Sequence, residues 1–97
     1  MKVIYHRSAA RDVRQNMDHY ESEAGSQLAD RFFKDLLGTV TKALSNPLHF
    51  PPISEWMRRE NLPDFPYHFL NEEKPWGIKV MVVRHDRRNP RFGLRRK

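Results

Sequence analysis

Arg59, His68 and His85 are the side chains in this sequence whose types and placing could do chemistry together. One imidazole could take the proton of a ribose 2′-hydroxyl and the other could protonate the leaving oxygen. A guanidinium would hold the charge of a phosphorane-like transition state. The same three side chains also suit a surface that only binds a phosphate or an acidic protein. Histidine and arginine are common on exposed sheet faces, which weights the residues themselves toward binding.

Strand parity decides whether these groups can meet. Tyr67 and Phe69 are a bulky apolar pair, so His68 between them points to the opposite face. Ile78, Val80 and Val82 read as one face of the last strand, which places His85 on the other. Trp56 and Leu62 share parity and leave Arg59 opposed to them. Arg59, His68 and His85 are therefore expected on one uncovered face, on condition that no strand slips by a residue.

The element that carries His85 is the best defined in the chain. Ile78 to Val83 is a nearly continuous apolar run rich in β-branched residues, as in a strand buried on both faces. Arg84, His85, Asp86, Arg87, Arg88 and Asn89 follow, and Pro90 cannot continue a ladder. The net charge of +6 arises wholly from this end: Met1 to Val83 is neutral, whereas Arg84 to Lys97 holds seven cations and one acid. Arg84, Arg87, Arg88 and Arg91 are accordingly candidate binding residues for an acidic partner.

Upstream, Lys2 to His6 reads as a short strand. Ser8 offers a cap to a helix with Ala9, Ala10, Val13, Met17 and Tyr20 on its apolar stripe and Arg11, Asp12, Arg14, Gln15 and Asp18 on its wet side. Gly25 stops it and Ser26 caps the next. That second helix, about Gln27 to Ser45, carries Ala29, Phe32, Phe33, Leu36, Leu37, Val40, Ala43 and Leu44 as its apolar face. Gly38 within it reads as a close contact with the first helix. The two form an αα-hairpin. After a proline-punctuated loop, Leu48 to Ser54, come strands at Trp56–Leu62 and Tyr67–Asn71, then the polar link Glu72–Gly77 into the last strand. The order β-α-α-β-β-β defines an α+β domain spanning 1–97, a helical hairpin on one face of a mainly antiparallel four-stranded sheet, with a basic tail at 84–97.

Composition excludes several classes. There is no cysteine, so no disulfide framework or thiolate zinc site, and a reducing cytoplasm is the expected home. No apolar run approaches the roughly 20 residues of a membrane helix. The five histidines show no close metal-ligand spacing, and no glycine-rich phosphate loop is present, so no cofactor is expected.

Arg58 to Pro63, Phe65 to Leu70 and Val82 to Pro90, with Ser8 to Asp12 and Ala29 to Phe32 in the hairpin, resemble the RelE/ParE superfamily, the toxins of bacterial type II toxin–antitoxin (plasmid stabilisation) modules. The resemblance spans nearly the whole chain. It implies a cognate acidic antitoxin and either of two targets, or, as a third reading, a non-toxic member of the family kept as a binding module. RelE-like members cut mRNA on the ribosome; ParE-like members poison DNA gyrase without catalysis. Under the first activity His68, His85 and Arg87 would be catalytic, Arg87 matching the basic residue past the last strand. His68, however, stands where RelE-like nucleases usually carry arginine, and Phe92 stands roughly where they carry tyrosine. The ending RHDRRNP is closer to the ParE-like branch. The resemblance thus implies a gyrase-directed toxin, with Phe92 joining the arginines as a binding residue.

Overall fold

The computed structural model describes residues 1–46, 53 and 57–97. Its order is β1 (Lys2–Tyr5), α1 (Arg7–Ala24), α2 (Ser26–Ser45), β2 (Arg58–Asn61), β3 (Tyr67–Lys74) and β4 (Gly77–His85). This is the expected β-α-α-β-β-β arrangement. The strands lie in the order β1-β4-β3-β2, with β1 parallel to β4 and the other two pairings antiparallel. Most of the expected Leu48–Ser54 loop, and Trp56, lie outside the described residues.

The helical hairpin covers one face of the sheet. Ala9 and Val13 from α1 and Phe32, Leu36, Val40 and Ala43 from α2 meet Leu62, Tyr67, Phe69, Ile78, Val80 and Val83. Phe32, Leu36 and Phe69 are completely buried, and each contributes about 1.5–3 kcal/mol by leaving water. Tyr20, Phe32, Phe65 and Tyr67 form a ring cluster with centroids 4.9–6.0 Å apart. Burial, reinforced by Tyr20, pushes the Tyr67 phenol far up, so it stays neutral.

Several local expectations change. The cap of α1 is His6, whose Nδ1 accepts from the Ser8 amide, because the helix begins at Arg7. Gly25, rather than Ser26, precedes α2, and no side chain among the described residues caps it. Phe33 and Leu37 are largely exposed, since the hairpin and sheet engage only the Ala29–Phe32–Leu36–Val40 stripe. Gly38 is exposed, and among the described residues nothing beyond its own stretch of helix lies within 4 Å of where a Cβ would stand, so no close contact with α1 requires it. The β3–β4 hairpin runs on through Lys74 to a tight turn at Pro75–Trp76, so the link from Glu72 is mostly strand. Gly77 starts β4 where a Cβ would stand 1.8 Å from the Lys2 carbonyl oxygen; only glycine lets β1 approach so closely.

The decisive irregularity is in β4. Leu70 pairs with Val82 but Asn71 pairs with Val80, so Met81 is an extra residue opposite β3, a β-bulge. Ile78, Val80 and Val83 consequently face the helices, while Met81 and Val82 face the other way. The expected Ile78–Val80–Val82 face breaks at this point.

Candidate functional site

His68 lies on the sheet face away from the helices, as parity required. Arg59 lies there too, paired in register with Leu70, and so does Arg84, the register partner of His68. His85 does not. The bulge returns it to the helix face, where its ring meets Tyr67 edge-on at 5.0 Å between centroids. The expected convergence of Arg59, His68 and His85 is therefore corrected: the sheet separates the two imidazoles.

His68 is buried, with 1% of its surface exposed. Its Nε2 accepts from Arg84 Nε at 2.8 Å, and its Nδ1 lies 2.8 Å from Asp86 Oδ1. A guanidinium offers only donors, so Nε2 must be the bare nitrogen and Nδ1 must carry the proton toward Asp86. Burial lowers the pKa of His68; Arg59 and Arg84 act in the same direction, and the Asp86 carboxylate opposes them. The neutral ring is thus locked between a cation and an anion. Arg59 joins the outer end of this row, 3.7 Å from Asp86 Oδ1 and bonded through Nε to Asn61.

Arg84, one of the candidate binding residues, is 6% exposed. Its Nη1 donates to the carbonyls of Pro90 and Phe92, at 2.8 and 2.9 Å. Burial, then Arg59, works against its charge, yet an arginine remains a cation at any ordinary pH. The segment it holds folds as a series of turns back over the sheet. Phe92 packs on Met57, Leu70, Met81 and Val82, closing a second, smaller core on the face the helices leave bare. The Arg88 and Arg96 guanidinium groups lie 4.0 and 5.0 Å from the centre of the Phe92 ring. Val82 belongs to this second core.

The segment ends against the edge of β4. Among the described residues, β1 pairs with β4 over Gly77–Val80, and no strand pairs with the β4 edge beyond. There Asp12 Oδ2 accepts from the Val83 amide at 3.0 Å, and Arg96 Nη1 donates to the Met81 carbonyl at 3.0 Å. Two paired side chains therefore serve backbone groups that a longer β1 would have served. Asp12, assigned to the wet side of α1, is buried. Its spacing of three from Ala9 borders the apolar stripe and was the available signal. Nothing local distinguishes Arg96 from Arg95.

Arg87, Arg88 and Arg91 are exposed, as a binding surface requires. Arg87 and Arg91 use their backbone amides in local turns, to His85 Nδ1 and Asn89 Oδ1. The arrangement is a cationic rim around an anchored apolar patch. No described helix is long and apolar enough to cross a membrane.

No protein-family model matches the chain, and no curated protein matches it. Among solved structures, the chain is similar to one described as "Chromosomal ParDE TA system from P. aeruginosa". The TM-score is 0.73 at 24% identity, over 88% of this chain and 95% of that one. The likeness is one of fold. The β-α-α-β-β-β architecture is what this chain shares with a chain of that system.

Proposed function

We propose that this protein is the toxin of a type II toxin–antitoxin module, ParE-like in that it acts by binding, with DNA gyrase as its target and an acidic antitoxin as its neutralising partner in the cytoplasm. The observation that carries the binding mode is the separation of His68 from His85 by the sheet. A 2′-hydroxyl cleavage needs one base and one acid on the same phosphate, within about 3 Å of the atoms they serve. His68 is buried with both ring nitrogens engaged, and His85 lies on the other side. The shared fold with a ParDE chain supports the toxin reading, and the exposed Arg87, Arg88 and Arg91 supply a surface for an acidic or phosphate-bearing partner.

Growth arrest on induced expression, with transcript integrity followed in parallel, tests the proposal. Changing His68 and His85 together to Gln should preserve most of the arrest, whereas Arg87→Ala, Arg88→Ala and Arg91→Ala combined should abolish it with the fold intact by circular dichroism. A gyrase target adds a DNA-damage response with uncut transcripts. A nuclease would instead lose about 10²–10⁴-fold in rate with the histidine pair. Ribosome-dependent transcript cuts that vanish in that variant would overturn the binding reading.

A further inference from the structure

We propose that the C-terminal segment, Pro90 to Lys97, is a strap whose first half, Pro90 to Leu94, grips the open sheet face only while His68 is neutral, and that protonating His68 releases that half. The proposal rests on the geometry of one continuous row of hydrogen bonds and is independent of the toxin reading. The row runs from Asp86 Oδ1 to His68 Nδ1, from His68 Nε2 to Arg84 Nε, and from Arg84 Nη1 to the carbonyls of Pro90 and Phe92. Each link fixes the next. Arg84 is oriented for the strap carbonyls because its Nε is tied to a bare imidazole nitrogen.

A proton on Nε2 turns that acceptor into a donor facing another donor. The Arg84–His68 bond is then lost, and two cations stand in contact within a buried site. Arg84 must swing away, and the carbonyls of Pro90 and Phe92 lose their partner. The charged groups facing His68 are Arg59 from β2, Arg84 from β4 and Asp86 from the turn after it. Asp86 favours the proton, while burial and both arginines resist it, so release belongs on the acid side of the ordinary histidine range. What it uncovers is the apolar patch of Met57, Leu70, Met81 and Val82 beneath Phe92.

Two other titratable contacts hold the same segment and must be separated from His68. His6 Nε2 meets the Lys97 carbonyl at 3.1 Å while its Nδ1 accepts from Ser8. Asp12 binds Arg96 through both carboxylate oxygens. The Asp12–Arg96 contact involves neither His68 nor Arg84 and does not depend on their state. A proton added to His6 would fall on Nδ1 and cost the bond from Ser8, while the donor to Lys97 on Nε2 would remain.

The test is nitrogen-15 NMR on the full chain. At about pH 7.5, His68 should show the tautomer with the proton on Nδ1, the one that its Arg84 and Asp86 partners dictate. On lowering the pH, the amides of Phe92 and Leu94 should lose their rigid relaxation signature with the same midpoint as the His68 ring, while Arg96, held by Asp12, should keep its own. His6→Gln should leave that coincidence in place. His68→Gln, whose amide oxygen can accept from Arg84 without titrating, should keep that half ordered through the wild-type midpoint. A proton on Nε2 at neutral pH would overturn the proposal. So would a first half that stays rigid after His68 is protonated, or its release in His68→Gln at the wild-type midpoint.

Discussion

Asp12 and Arg96 stand 84 positions apart in the sequence, yet Arg96 Nη1 lies 2.6 Å from Asp12 Oδ2, with a second bond of 3.0 Å from Nη2 to Oδ1. The pair closes the chain end onto α1, and each member also holds a backbone group of β4. Asp12→Ala removes an acceptor from the Val83 amide and leaves a guanidinium half-buried without its anion. The expected loss is about 3 kcal/mol in denaturant unfolding. Arg96→Ala should cost about as much, because it strands a buried carboxylate. The double variant should cost clearly less than the two losses added.

Gly93 and Val82 make a second lock. Gly93 has φ +82°, and a Cβ there would stand 2.5 Å from Val82 Cγ2. Gly93→Ala is therefore strained in backbone and in packing, and should destabilise by about 1–3 kcal/mol. The damage should be local. Amide exchange should accelerate across residues 90–97 far more than in α1, and Gly93→Ala combined with Val82→Ala should recover part of the packing loss.

Phe92 and Arg88 separate packing from charge. Phe92→Ala opens the second core and should cost about 1–3 kcal/mol, because the ring is only partly buried. Arg88→Ala removes only an exposed cation over that ring and should stay within about 1 kcal/mol of wild type. Equal melting temperatures for the two would show that Phe92 does not close the patch.

Glu60 carries a pH dependence of its own. It lies opposite Phe69 in the β2–β3 register, is 1% exposed, and its Oε2 has no partner among the described residues. Burial raises its pKa to about 7. Because the native value exceeds the unfolded one, its contribution is complete below the unfolded pKa and is lost as pH rises through about 7. Glu60→Gln, which cannot ionise, should therefore raise the melting temperature at about pH 8 and change it little at about pH 5. A difference between variant and wild type that does not grow across that interval would refute the assignment.

The hydrophobic periodicity of this sequence was enough to determine the element order, the two helices and the apolar run of β4. Those features depend on contacts within a few residues of chain, where a period of 3.6 or 2 is written directly into side-chain type. The same holds for His68, whose parity follows from the flanking Tyr67 and Phe69. His85 was misplaced because Ile78 to Val83 is apolar at nearly every position. A strand buried on both faces has no alternation in which an extra residue at Met81 could show, so only pairing with β3 revealed the bulge and the change of face. The fate of the basic end was equally hidden. Composition marks seven cations as a charged tail, but burial depends on partners distant in sequence. Arg84 is enclosed by His68 and by Phe92, Arg96 by Asp12, and Gly93 rests on Val82. Residue type could nominate the arginines; only the tertiary fold divides them into those that hold the strap and those left to face a partner, because a cation enters the interior only where acceptors already converge on it.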